Sequence, residues 1–161
     1  MILDALLQFS GTLNPTAGQL LNKAAGTYTS DNVIDTAGVG LFSQARDLGK
    51  GRDLNVMIEV TQAFAGGTSL TVNLVEADDA AISVNVQTLT STPVIPLASL
   101  TLGQQIPLHW DRVEPFAQRR YIAVTYTIVG TMTAGAVVTF VVDTVQDKGN
   151  NTIFNSGFSV S

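Results

Sequence analysis

Cysteine is absent from the 161 residues, which excludes a disulfide framework, a thiolate metal site and a thiol nucleophile. Stability must come from packing or from assembly. Histidine occurs once, as His109, and a single imidazole falls short of the roughly three or four nitrogen or sulfur ligands that zinc chemistry needs. Charge is scarce too: Asp, Glu, Lys and Arg make up 13% of the chain, where about a quarter is usual. The net charge of −5 opposes phosphate backbones and anionic lipid, so neither nucleic acid nor a membrane is an expected partner. No apolar run approaches the roughly 18–20 residues that span a bilayer. The opening Met1-Ile2-Leu3-Asp4 lacks the basic flank and long apolar core of a secretory signal, so a soluble, non-exported protein is expected.

Thr, Ser, Asn, Gln and Gly take the place of the missing charge, beside an ordinary hydrophobic fraction of 45%. A surface of neutral hydrogen-bonding groups suits a protein that lies against another protein, because burying an amide costs far less than burying an ion. The length fits one domain, which would bury about two-thirds of its unfolded surface. Helical period wins over no useful window. From Leu54 onward the period is two: Val56, Ile58 and Val60 alternate with Met57, Glu59 and Thr61, and Leu70, Val72 and Leu74 follow the small-residue link Ala65-Gly66-Gly67, which predicts a hairpin. Ile82, Val84 and Val86 predict a third strand. Ile106, Leu108 and Trp110 predict a weaker one, placed at a sheet edge by Pro107, which has no N–H to give a ladder. Tyr121 to Val129 and Ala136 to Val145 predict two long paired strands, with hardly an ionisable group between them, and Phe154 to Val160 a last one. Such a series predicts an all-β fold, an antiparallel β-sandwich or jelly roll. One domain covers 1–161: an irregular N-terminal arm with loops over 1–53, a strand core over 54–147, and a C-terminal tail or last strand over 148–161. Within the arm, Asn32 to Asp35 predicts a short strand.

Catalytic constellations are thin. A Ser-His-Asp arrangement would rest on His109 with Asp111, yet no Gly-x-Ser-x-Gly elbow is present. A carboxylate pair would need Glu59 and Glu76 to face each other on neighbouring strands, but the chain has only three glutamates and Glu59 falls on the polar face. Asp78-Asp79, after Glu76, is the obvious acidic cluster for calcium; without the EF-hand spacing and glycine, a solvated turn is the better reading. Arg46 to Asp53 is the one dense charged segment, and it lacks the phosphate-loop motif. Arg119 and Arg120 should diverge to opposite faces at a strand start. No enzyme activity and no cofactor are expected.

In order along the chain, Ile34-Asp35, Arg46 to Gly51, Ala63 to Leu70, Ile95-Pro96-Leu97, Arg120 to Tyr126 and Thr133-Ala134-Gly135 resemble the jelly-roll capsid cement, or decoration, proteins of tailed bacteriophages, over about residues 30–143. The resemblance implies a structural virion protein, made in the host cytoplasm, that binds the capsid exterior and bridges neighbouring major capsid subunits. It also implies self-association, as a homodimer or a trimer. Apolar and basic residues of the first third, Leu6, Phe9, Leu13, Leu41, Phe42, Arg46, Lys50 and Arg52, are the candidate partner contacts, although the apolar ones would serve equally to cap the ends of the sandwich. The alternative is a carbohydrate-binding jelly-roll module, with Trp110, Tyr121 and Tyr126 as stacking residues; strand alternation sets the two tyrosines on opposite faces.

Overall fold

The computed structural model describes residues 7–11, 18–36, 54–110 and 119–142. Its strands are β1 (Gln8–Ser10), β2 (Gln19–Leu20), β3 (Gly26–Thr29), β4 (Ile34–Asp35), β5 (Leu54–Gly66), β6 (Ser69–Ala77), β7 (Gln87–Ser91), β8 (Ile95–Pro96), β9 (Gln105–Trp110), β10 (Tyr121–Val129) and β11 (Met132–Val142). They form an antiparallel β-sandwich. Sheet A has the order β1-β11-β5-β9, with β2 also on β11; sheet B has the order β3-β10-β6-β7, with β4 on β10 and β8 on β6.

The alternating residues meet between the sheets. Val56, Ile58 and Val60 of β5 and Val137 of β11 face Leu70, Val72 and Leu74 of β6 and Ile122, Val124 and Ile128 of β10 in one buried core, which Phe9, Leu21 and Ile34 complete. β-branched side chains on a pleated surface pack in this way, with alternate residues turned outward. The described parts of the first third supply four short strands and three core side chains.

Two expected hairpins are not hairpins. β5 and β6 are joined by the predicted small-residue link but lie in different sheets, as do β10 and β11; instead β5 pairs with β11 and β6 with β10. Each link is an arch that carries the chain across the sandwich. The two arches nest so closely that a Cβ on Gly130, whose φ is +77°, would lie 2.8 Å from Gly67 Cα, while the Thr68 N–H donates to Val129 O at 2.7 Å. Gly66 and Gly67 also adopt positive φ, the region that glycine enters without steric penalty. Among the described strands, β6 and β7 are the one consecutive pair that bond each other. The strand predicted over Ile82, Val84 and Val86 is instead part of the connection between them, since Ile82 and Asn85 have φ of 53° and 50° and curl the chain. The prediction for β9 agrees with the structure: it is an edge strand, and Pro107 sits within it opposite Met57.

A polar chain crosses the core. The Tyr126 hydroxyl of sheet B lies 2.7 Å from Ser10 Oγ of β1 and 2.6 Å from Thr139 Oγ1 of β11, and Ser10 Oγ donates to Gln19 Oε1 at 2.5 Å. Burial pushes the Tyr126 phenol well above its ordinary pKa, and its two hydroxyl partners offset only part of that shift.

Candidate functional site

The outer face of sheet B has two halves. Among the described residues, one carries no charged side chain: Thr27, Thr29 and Ser91 are exposed, Thr71, Asn73 and Thr127 half-buried, and Thr125 buried. Cross-strand registry sets Thr27, Thr127 and Thr71 in one row and Thr29, Thr125, Asn73 and Ser91 in the next, all turned away from the core because their neighbours Tyr126, Val72 and Leu74 are turned into it. The side chains are tied to each other: Thr27 Oγ1 lies 3.1 Å from Thr127 Oγ1, Asn73 Nδ2 donates to Thr125 and Thr127 Oγ1 at 3.3 and 3.4 Å, and Ser91 Oγ donates to Asn73 Oδ1 at 2.7 Å. Such pairs hold hydroxyls and amides in fixed directions across a sheet. None of these side chains ionises, so covering the patch strips no charge of water.

The other half of the face carries Val75, Ala77 and Ala123, and the connection from Asp78 to Val86 folds back so that Ile82 packs on them, with Val33 and Tyr121 alongside. Asp79 orders this connection. Its carboxylate accepts from the N–H groups of Ser83 and Val84, each at 2.8 Å, and from the Ser83 hydroxyl at 2.7 Å. Those bonds, the Val84 N–H foremost, hold the Asp79 pKa below the ordinary value of 3.8. Asp78 accepts from Asn85 Nδ2 at 2.7 Å. The acidic pair is therefore a turn lock, as turn chemistry favours. Among the described residues, no group of three or more His, Cys, Asp or Glu is placed to hold a metal ion.

The end of the sandwich beside this loop holds an ionic cluster. Glu76 continues the inward face of β6 and is buried, with 2% of its side chain exposed; it accepts from the Arg119 guanidinium at 3.0 Å and from the Arg119 N–H at 3.3 Å. Arg119 also donates to Gln87 Oε1 and approaches Asp78 at 3.8 Å. Arg120 diverges from it, as strand alternation requires, to a two-bond contact with Asp35 at 2.9 and 2.8 Å and to the face of Tyr121, whose ring centroid is 5.0 Å away. The Asp35 hydrogen bonds raise the Arg120 pKa. Both arginines are committed within the protein.

The carboxylate pair weighed from the sequence does not assemble. Glu59 belongs to sheet A and Glu76 to sheet B, so they are not on neighbouring strands. His109 is exposed on the edge strand with Nδ1 2.7 Å from Asn55 Oδ1, and Asp111 lies outside the described residues. Of the candidate stacking residues, Tyr126 and Trp110 are buried in the core, and only the half-buried Tyr121 faces outward, under Arg120. No aromatic platform forms from the three. Phe9, a candidate partner contact, has 0% exposure within the core, so it is not offered to a partner. Leu6, Leu13, Leu41, Phe42, Arg46, Lys50 and Arg52 lie outside the described residues. The rows on sheet B were not singled out by the sequence reading, although a signal was present: Thr-Tyr-Thr occurs at 27–29 and again at 125–127, and the two copies pair in register. The model of the Bbp16 family matches residues 17–141, and the chain belongs to that family. No curated protein matches it.

Proposed function

We propose that this Bbp16-family protein is a non-enzymatic structural component of a phage particle, a homo-oligomer that binds the outer capsid surface and cements neighbouring major capsid subunits. The observation that carries this reading is one half of the outer face of sheet B: two rows of Thr, Asn and Ser side chains, five of them bonded to one another, with no charge among them. Such a patch gives up little on being covered. Strength on a lattice would come from many copies acting together. The resemblance to cement proteins also acquires a physical sense, because several of the motifs that carry it are joints of this fold. Ala63–Leu70 forms one arch, Leu97 N–H donates to Thr68 O at 3.0 Å, and a Cβ on Gly135 would fall 2.4 Å from a Phe64 ring carbon. These residues serve one meeting point of the two sheets.

The test is to mix the purified protein with undecorated shells of the cognate phage and sediment them. Saturable co-sedimentation together with a higher melting temperature of the shell is expected. Absence of binding at micromolar concentration, alongside a positive glycan screen, would overturn the reading in favour of a carbohydrate-binding module.

A further inference from the structure

Sheet A turns an apolar face outward where sheet B turns a polar one. Met57 of β5 and Val138, Phe140 and Val142 of β11 form a cluster separate from the core between the sheets, and Met57 pairs across the strands with Phe140. Their neighbours Val56, Ile58, Val137 and Thr139 point inward, to the core and to Tyr126, so these four point away from sheet B. All four are nonetheless buried, Phe140 to 5% exposure and Met57 to 8%. Sheet neighbours alone do not hide side chains of that size: on the outer face of sheet B the smaller Thr71, Asn73 and Thr127 stay half-buried on equally interior strands. Among the described residues no partly buried hydrophobic packs on the cluster, and each described strand belongs to one of the two sheets.

We propose that this outer face of sheet A is the docking surface for the chain's own C-terminal segment, residues 143–161. The four side chains are buried within a single copy, so the occupant belongs to the same chain. The segment starts where the cluster ends, at Val142. β11 has β5 on one side and β1 and β2 on the other, so the chain after Val142 has no open edge of β11 to pair with, and its apolar side chains need a face. Phe154, Phe158 and Val160 fall in one phase of alternation and Asn155, Gly157 and Ser159 in the other, and no charged residue follows Lys148. Covering the cluster with them strips no charge of water. Length suffices: Val138 to Val142 spans about 13 Å at about 3.3 Å per residue, and Asp147 to Asn151 offers the Asp, Gly and Asn that favour a turn back. Residues 37–53 and 111–118 instead join one sheet to the other, from β4 to β5 and from β9 to β10, and both carry charge. The inference stands apart from the cement reading.

The test begins with the unaltered protein, in which the Met57 methyl group is expected to show nuclear Overhauser contacts to the ring of Phe154 or Phe158. Because the chain has no cysteine, Met57→Cys then introduces a single thiol whose labelling rate reports the cover. Adding Phe154→Ser and Phe158→Ser is expected to speed that labelling at least about tenfold, while an Ile58→Cys thiol on the inner face of the same strand stays protected in both backgrounds. Contacts from Met57 to Leu41, Phe42, Ile2 or Leu3 in place of the two rings overturn the inference, because another segment is then the occupant. Labelling of Met57→Cys at the rate of a free thiol with the segment intact overturns it as well, since the face is then bare. Protection that is lost on dilution also overturns it and assigns the face to a second copy. If the serine substitutions unfold the protein, so that both thiols react, the Overhauser contacts of the unaltered chain decide.

Discussion

A phenol buried between two sheets must keep its hydroxyl paired, and for Tyr126 the pairing has only one direction. The Gln19 amide is fixed at both ends, since Oε1 accepts from the Asp31 N–H at 3.2 Å and Nε2 donates to Thr29 O at 2.8 Å. Ser10, donating to that Oε1, must accept from Tyr126, and Tyr126 must accept from Thr139. Tyr126→Phe leaves a buried Thr139 donor without its acceptor and should destabilise the fold by about 1–3 kcal/mol in urea unfolding. The reverse case is Thr61, whose buried hydroxyl has no partner among the described residues; Thr61→Val keeps the shape, removes the unsatisfied group and should stabilise by up to about 1 kcal/mol. Asp79 supplies a pH dependence. Its folded pKa is depressed, so its contribution to loop order is fully present above the unfolded value of about 3.9 and is lost as pH falls through the lower folded one. The Ser83 and Val84 amides should therefore lose hydrogen-exchange protection on acidification below that value, and in Asp79→Asn at neutral pH.

Elements were more legible than their connections. Period two located the cores of β5, β6, β10 and β11 because alternate residues on each are buried. It could not say which strands pair, since Ala65-Gly66-Gly67 suits an arch as well as a hairpin: both need positive φ, and only the tertiary partner decides. The pattern Ile82, Val84, Val86 misled for a related reason, as alternation in composition persists where Asp79 captures the backbone and bends it out of a strand. The uncharged rows depend on registry between segments about a hundred residues apart, which periodicity within one segment does not contain. The arches give a direct prediction. Gly130→Ala places a Cβ against Gly67 at positive φ and should cost at least about 1–2 kcal/mol, read as a lower urea midpoint with an unchanged slope.

At the scale of the whole molecule, the sandwich limits strand addition at its edges. Thr29 O and the Asp31 N–H face away from β10, where another strand would bind, and the Gln19 amide fills that place. β7 carries a register shift and is followed by Pro93, while β9 contains Pro107. Bulges and prolines are recognised guards against edge-to-edge pairing. Pro107→Val should restore a ladder donor to an exposed edge and produce concentration-dependent association, visible by light scattering at temperatures where wild type stays dispersed. The position of β11 has a different consequence, one of timing during synthesis. It lies between β5 and β1 in sheet A, so β5 has no partner on that side until residues 132–142 have left the ribosome. At about 5–20 residues per second the interval is on the order of 3–13 s. Sheet A closes only once β11 has emerged, and until then that edge of β5 is left unpaired and must be covered by other parts of the nascent chain or by a chaperone.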